Sequence, residues 1–430
     1  MKASEIKGEL IVYYQTKLYS WSELCLQTQN VILPDKSNES AVLITQAQDV
    51  FATLIYLLYG FKEKITIFPV SSESSVTDSS DIDSFAANSF DTALAIATSG
   101  SQAKPKIALI SRQNIIAHCQ SFVKVIPIDH SSVWLNCMPL NHIAGVMIVY
   151  RCWFNNASIV LHDNFHTEKV WQDIKLYAVS HISLVPRMLF KLLEFSQDAK
   201  PPESLKYVIV GGDRLSDALY QQAVSAGWPI FISYGMTEAS STIAIGKTQE
   251  KLKILDGLST QLTGDGVLKI KGPTIFSAYA DFKMELYEKK WFVTHDRVNL
   301  KNGYLSIIGR NDDMIICAGK NIAPEFIESL FIDSSALLNQ TSSYVLADLA
   351  IGKYQNSSYS DNDSKQSWGD LIVALYCGDV DELERWIKKN IQTAYQPRCL
   401  LSVKKIPRNS IGKIDRKAVQ TIISNYYKNN

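Results

Sequence analysis

Four stretches of the chain collect residue types that handle phosphates, sugars and carboxylates. The first, Thr98-Ser99-Gly100-Ser101-Gln102-Ala103-Lys104-Pro105-Lys106, sets hydroxyls, a glycine and two lysines directly after an apolar run at 92–97. Such a loop can surround a polyphosphate with backbone N–H groups and cations. It is not a Walker A sequence, and a solvated lysine turn has the same make-up. The second, Tyr234-Gly235-Met236-Thr237-Glu238, offers a ring to stack on a purine and a glycine for close backbone approach. It adds a hydroxyl for a phosphate and a carboxylate for Mg²⁺. A polar turn that only caps a strand is the competing reading. In the third, Asp296 follows the apolar Trp291-Phe292-Val293; an Asn302-Gly303 turn, an alternating strand at 304–308 and the polar break Gly309-Arg310-Asn311-Asp312-Asp313 come next. An aspartate can accept from both hydroxyls of a ribose, and an arginine adds a charge that does not titrate. A polar inter-strand turn would look alike. The fourth, Ile406-Pro407-Arg408-Asn409-Ser410-Ile411-Gly412-Lys413-Ile414-Asp415-Arg416, carries Lys413 near the C-terminus, where lysines are usually solvated.

Two single residues belong with these. Met138-Pro139-Leu140-Asn141-His142-Ile143-Ala144-Gly145 leads into an apolar helix at 146–154. His142 beside that helix is either a satisfied core group or the lining of a pocket. Arg151 lies within the helix, and a buried arginine needs an anion. A structural ion pair or a substrate carboxylate would supply it.

The elements that must hold these residues alternate between strand and helix. The run 158–162 reads as a strand, with a helix after Thr167 carrying Val170, Trp171 and Ile174. His181-Ile182-Ser183-Leu184-Val185-Pro186 reads as a strand and stop, before a helix marked by Met188, Leu189, Leu192 and Leu193. A strand at 207–210 runs into Gly211-Gly212-Asp213, a helix spans 215–226, and a strand at 230–233 runs into Tyr234. Such alternation predicts an α/β fold with mainly parallel sheets flanked by helices. Ligands of these sheets lie beyond the strands' C-terminal ends, where Gly211, Gly212, Asp213 and the Tyr234–Glu238 stretch would both sit. Residues 1–90 read as a small α/β start, with Ser20 and Glu23 spaced as a capping box. The region 256–281 reads as a β-rich subdomain, and Leu383, Trp386, Ile387 and Ile391 mark an amphipathic helix further on. The Ser/Asp-rich stretch 71–89 and the polar stretch 353–367 read as loops.

At 430 residues the chain is long enough for two or three domains around a large core. Lys+Arg and Asp+Glu both number 43, so nothing draws the protein to nucleic acid or to an anionic membrane surface. Seven cysteines without a CxxC pair point to a reduced, cytoplasmic chain rather than a zinc site or disulfide framework. The opening MKASEIKGEL lacks an apolar signal core, and the apolar window 42–61 contains Gln46, Gln48 and Asp49, which suits a buried strand and helix rather than a membrane span.

Taken in order, the four motifs resemble those of the acyl-adenylate-forming superfamily: acyl- and aryl-CoA ligases, luciferases and peptide-synthetase adenylation domains. The resemblance runs from Thr98 to Lys413 and implies ATP, Mg²⁺ and CoA as cofactors, with a small carboxylic acid as substrate partner. It implies that Thr98, Ser99, Gly100, Ser101, Lys104 and Lys106 hold phosphates, and that Tyr234, Gly235 and Thr237 bind the nucleotide, with Glu238 on the metal. Asp296 would grip the ribose hydroxyls, Arg310 contact the nucleotide, and Asp312 serve as the pivot of a small mobile α+β C-terminal domain. Lys413 would reach into the site, His142 border the acyl pocket, and Gly319 let pantetheine pass close to the backbone. The implied division is an ATP- and acid-binding domain at 1–310 and the C-terminal domain at 311–430. The chain departs from the superfamily's TSG-[ST]-TG-x-PKG loop, with Gln102 for a hydroxyl, and Ala103 and Ile107 for glycines. It also has His295 where much of the superfamily has glycine. HISLVPRMLFKLLE, SYGMTEASST and VTHDR…NGYLSIIGR look most like the branch that ligates o-succinylbenzoate to CoA in menaquinone synthesis. Another aryl or fatty acid, loading of a carrier protein, or a nucleotide-binding regulator without turnover are the alternatives.

Overall fold

The computed structural model describes residues 10–27, 42–71, 91–98, 106–280, 290–317, 320–338, 348–354, 370–408 and 413–429. A sheet of thirteen strands dominates them. One half is parallel: Ile230–Met236, Tyr207–Gly211, His181–Leu184, Val133–Asn136, Ser158–Leu161 and Ile11–Tyr14 lie side by side in that order. Helices Ile143–Asn155, Thr167–Leu176, Pro186–Ser196 and Asp217–Ser225 connect or cover them, as parallel strands buried on both faces require. The other half, from Ser241–Gly246 outward, is antiparallel and includes the expected β-rich stretch. A second sheet of five strands joins Val42–Gln46, Thr66–Val70, Thr92–Thr98, Lys106–Ser111 and the two-residue strand Ala278–Tyr279.

The helix Ile143–Asn155 is buried on nearly every side, and its Tyr150 hydroxyl donates to the Leu57 carbonyl at 3.2 Å. Its apolar content therefore serves packing between the two sheets. Gly145 opens this helix under a close carbonyl; a Cβ there would stand 2.4 Å from the Pro139 oxygen. The expected capping box forms, with the Ser20 N–H donating to Glu23 at 2.7 Å and the Glu23 N–H to the Ser20 hydroxyl at 3.3 Å. The strand His181–Leu184 stops before Pro186 as expected, and Pro186 also begins the next element. It occupies the first turn of helix Pro186–Ser196, where its missing N–H costs nothing.

The third motif differs most from its sequence reading. Asp296 is not at the end of a short run but within the long strand Phe292–Lys301. That strand turns at Asn302 and Gly303, with φ of 53° and 78°, and returns as Tyr304–Arg310. Both central residues in the left-handed region make this a tight hairpin, for which Asn-Gly is the favoured pair. The return strand continues through Gly309 and Arg310, which were expected to break it, and so sets Arg310 directly opposite Asp296.

Beyond Arg310 the chain leaves the large sheet. Ile315–Cys317 pairs with Lys320–Ile322, and Asp348–Tyr354, Leu371–Cys377 and Cys399–Ser402 form a three-stranded sheet. Helices Pro324–Leu338, Val380–Asn390 and Arg416–Asn429 accompany these strands. Their cores are separate from the large one: Ile315, Ile327, Phe331, Leu383 and Trp386 form one cluster, and Val373, Leu375, Val419 and Ile423 another. A large α/β body and a small α+β C-terminal unit result. Among the described residues, no helix is long and apolar enough to cross a membrane. The stretch 71–89 and most of 353–367 lie outside them.

Candidate active site

Strand ends build the floor. Tyr207–Gly211 and Ile230–Met236 run parallel, so Gly211 and Tyr234 emerge at the same edge of the sheet. Gly211 packs on its neighbour, since a Cβ there would meet the Ser233 carbonyl at 2.8 Å. Gly235 passes harder still against the next strand: a Cβ there would come within 1.8 Å of the Ser241 oxygen, and the pairing register shifts between Tyr234 and Gly235. Thr237 and Glu238 then lie on a single turn, Thr237–Ala239.

Tyr234 is buried, and its hydroxyl donates to Asp296 at 2.6 Å. Burial first, and then the Asp296 charge, push the phenol pKa well above its ordinary value. The second and third motifs therefore meet: a ring, a carboxylate and, across the hairpin from it, the Arg310 guanidinium.

The fourth motif meets them from the C-terminal unit. Arg408 makes a two-pronged contact with Asp348 at 2.6 and 3.2 Å, and Arg416 does the same with Glu328 at 2.6 Å on both sides. The segment between is thus tied at both ends, with Arg408 and Ile414 forming an antiparallel bridge. Lys413 lies against Gly212: a Cβ on that glycine would be 3.2 Å from the lysine Cε and 3.4 Å from Nζ. Burial lowers the Lys413 pKa; the Asp213 and Asp296 charges oppose this shift and Arg310 adds to it. His142, on the opposite side, precedes helix Ile143–Asn155, and burial followed by the Lys413 charge lowers its pKa to about 4. Gly211, Gly212, Asp213, His142, Tyr234, Asp296, Arg310 and Lys413 therefore converge.

A second group adjoins the phosphate-type loop. Thr98 and Lys106 face each other across an antiparallel pair, with the Thr98 hydroxyl donating to the Lys106 carbonyl at 3.1 Å. Ser99, Gly100, Ser101, Lys104 and Gly319 lie outside the described residues. The Lys106 ammonium sits 4.9 Å from the centre of the Tyr279 ring, and the Tyr279 hydroxyl donates to Glu238 Oε1 at 2.6 Å. Sequence reasoning missed Tyr279. It sits on a two-residue strand with no periodicity, and only the fold brings it to Glu238.

No cluster of three or more His, Cys, Asp or Glu suited to a metal occurs among the described residues. Mg²⁺ rarely has an all-protein cage; it is usually held by one or two carboxylates plus substrate phosphates and water. Glu238 fits that pattern, since Tyr279 occupies only one of its two oxygens.

Arg151 stands apart from both groups and has none of the acidic partners a structural ion pair would need among the described residues. Its Nη2 lies 2.7 Å from His118 Nε2, 3.2 Å from the Ser241 hydroxyl and 3.4 Å from that of Thr242. An arginine cannot accept, so His118 must, and the imidazole is neutral with its proton on Nδ1. Burial, and then the Arg151 charge, hold His118 well below its ordinary pKa. Burial also lowers Arg151, to about 10. Its guanidinium stacks 3.8 Å from the Phe122 ring, while Arg151 Nε and His118 Nδ1 have no partner. Ser241 and Thr242 pair with Met236 and Gly235, so this buried cation backs onto the second motif. Asp312, the pivot that the resemblance implies, accepts from His295, Nδ1 to Oδ2 at 2.9 Å.

The family model described as AMP-binding enzyme matches residues 27–279, more than half of the chain. The chain belongs to the AMP-binding enzyme family. A curated 2-succinylbenzoate–CoA ligase from Staphylococcus epidermidis is 26% identical over 374 residues, covering 82% of this chain and 74% of that protein. Among solved structures, o-succinylbenzoate CoA synthetase from Bacillus subtilis, in complex with its acyl-adenylate intermediate, superposes with a TM-score of 0.77 at 22% identity. That match covers 96% of this chain and 95% of the other. ATP-bound MatB from Rhodopseudomonas palustris gives 0.79 at 16% identity, covering 98% and 96%. The AMP-binding fold is shared by both, and fold likeness alone does not choose between them.

Proposed function

We propose that this enzyme is an ATP-dependent acid–CoA ligase acting on o-succinylbenzoate, in the cytoplasm and in menaquinone synthesis. The observation that carries the ligase reading is Lys413, seated against Gly212 and facing Asp213, Asp296, Arg310 and His142. A cation there can offset charge where a substrate carboxylate approaches the α-phosphate of ATP. The carboxylate oxygen forms a bond to that phosphorus, the bond to the β-phosphate bridge breaks, and pyrophosphate leaves. The CoA sulfur then bonds to the acyl carbon, its proton is released, and AMP departs. Tyr234 and Asp296 would bind adenosine, Arg310 and the lysines at 104 and 106 the phosphates. Glu238 would hold Mg²⁺, which when bound neutralises charge on the polyphosphate.

The two steps need different surroundings, which supports a C-terminal unit at 311–430 that turns about Asp312. Lys413 would be withdrawn in the second step, and Gly319 would line the thiol's path.

The substrate reading draws on the curated relatives and on Arg151. While the succinyl carboxylate reacts, the ring carboxylate of o-succinylbenzoate stays ionised and needs a buried cation. Arg151, buried behind the Tyr234–Glu238 motif, is such a cation, while His142 would line the acyl pocket beside Lys413. Pyrophosphate release and thioester formation across a panel of acids tests both parts. We expect o-succinylbenzoate to be used fastest. Arg151→Leu should lower kcat/KM for it roughly ten- to hundredfold, the value of one charged hydrogen bond at ~1.5–3 kcal/mol. An analogue lacking the ring carboxylate should be spared. Equal loss for both acids would make Arg151 a packing residue, and thioester formed only with another acid would replace the substrate.

A further inference from the structure

We propose that Tyr279 is a positioning residue for the nucleotide step, holding Glu238 so that one carboxylate oxygen faces a divalent cation while seating the Lys106 ammonium on its ring. The inference rests on the metal role given to Glu238 above.

Backbone contacts fix Tyr279 from both sides. Ser277 N–H donates to the Leu109 carbonyl at 2.9 Å and Ala280 N–H to that of Ile107 at 2.8 Å, so the residue is strapped along the strand that begins at Lys106. Phe276 N–H donates to the Glu238 carbonyl at 2.9 Å, which pins the turn bearing the acid to the same segment. The Phe276 ring meets the Tyr279 ring edge-on at 4.7 Å and limits its rotation. From this fixed base one side chain reaches two opposite charges. Its hydroxyl donates to Glu238 Oε1 at 2.6 Å, in the short range of a bond to a charged acceptor. Its face takes the Lys106 cation at 4.9 Å.

That arrangement has a chemical purpose. Glutamate and lysine left unconstrained near each other would pair, and neither would then be available to metal or phosphate. A carboxylate free to rotate could also chelate a cation with both oxygens. With Oε1 taken by Tyr279, Oε2 is left for the ion. Because Lys106 and Tyr279 belong to the five-stranded sheet and Glu238 follows a strand of the thirteen-stranded one, Tyr279 also sets the spacing between Lys106 and Glu238.

The test is binding, not turnover. Mn²⁺ replaces Mg²⁺ and α,β-methylene-ATP replaces ATP, with the full chain and water-proton relaxation as readout. Tyr279→Phe keeps the ring and removes the hydroxyl. It should weaken Mn²⁺ binding in the presence of the analogue about tenfold or more, as loss of a hydrogen bond to a ligating carboxylate does. Metal-free analogue binding should stay within about twofold, because the Lys106 contact survives. Tyr279→Leu should weaken metal-free binding as well. Glu238→Gln separates the two readings. If it weakens Mn²⁺ binding and Tyr279→Phe does not, the role of Tyr279 is overturned alone. If neither does, the metal role of Glu238 falls and this inference with it. Equal weakening by Tyr279→Phe with and without Mn²⁺ would mean a general packing defect and would also overturn it.

Discussion

Lys413 is a half-buried ammonium on a segment flanked by two ion pairs, Arg408 with Asp348 and Arg416 with Glu328. In the proposed reaction a cation so placed would act where like charges meet, in the attack of carboxylate on phosphate. Lys413→Ala should slow acyl-AMP formation by about a hundred- to thousandfold, the usual cost of one well-aimed electrostatic group. Thioester formation from supplied acyl-AMP and CoA should be nearly unchanged. Assays of the separate half-reactions decide it, and equal slowing of both would make the lysine structural. The residue types at this site were readable from sequence because their chemistry is carried by short motifs. Partners drawn from distant segments were not. Arg151 was readable as a buried cation in need of an anion, yet the structure supplies the neutral His118 instead. Tyr279 carried no signal, since nothing local marks the residue that will face Glu238.

At the scale of elements, several contacts hold the junction after Arg310 where the proposed rotation would occur. His295 pairs with Asp312 at 2.9 Å, Asn311 N–H donates to the His295 carbonyl at 2.6 Å, and Lys353 Nζ donates to the carbonyls of Met314 at 2.9 Å and Asp312 at 3.4 Å. Any rotation there must break or carry these contacts. If the C-terminal unit turns about Asp312 as proposed, Asp312→Pro fixes φ there and restricts Asn311 before it, so thioester formation should slow markedly while acyl-AMP formation keeps most of its rate. Asp312→Ala loses the His295 contact but leaves the backbone free, and should not slow the second step. If both variants slow it alike, the side-chain contact matters and the backbone pivot does not. Sequence reasoning found the departure at His295 but not its partner. It also cut the strand short at Ile308, because Gly309 and the four polar residues after it resemble a turn. Cross-strand pairing overrides that preference and carries the strand to Arg310.

For the whole molecule, burial of neutral histidines ties stability to pH. His181 stacks between Trp134 and Tyr207, with ring centroids 5.1 and 4.7 Å away, and Nε2 donates to the Pro127 carbonyl at 3.0 Å. In the neutral ring Nδ1 accepts from the Ser180 hydroxyl at 2.7 Å, a proton that the Val133 carbonyl, 3.1 Å from the same hydroxyl, competes for. Burial lowers its pKa from 6.5 to about 4. For a base with a depressed folded pKa, the unfolded chain takes up the proton first as pH falls. The stability present above pH 6.5 is therefore lost progressively towards pH 4, by about 3 kcal/mol from this group. His181→Gln keeps hydrogen bonding and cannot titrate. The stability gap between wild type and variant, measured by denaturant unfolding, should shrink by about that amount from pH 7 to 4.5. A constant gap would show that His181 protonates in the folded state. The alternation of strand and helix predicted the parallel half of the large sheet. The antiparallel half was visible only as β-rich, because strands paired by sequence-distant partners such as Leu252–Ile254 with Tyr304–Arg310 leave no local mark.

Gly212 and Lys413 share one small space, and this links their mutational histories. At a φ of 85° a side chain at position 212 would be strained, and its Cβ, 3.2 Å from the lysine Cε, would push the end of Lys413 aside by a few tenths of an ångström. A substitution at 212 would then disturb the position of the lysine without changing residue 413. In a lineage that had already given up Lys413, the steric half of that constraint would disappear, leaving only the backbone conformation to favour glycine.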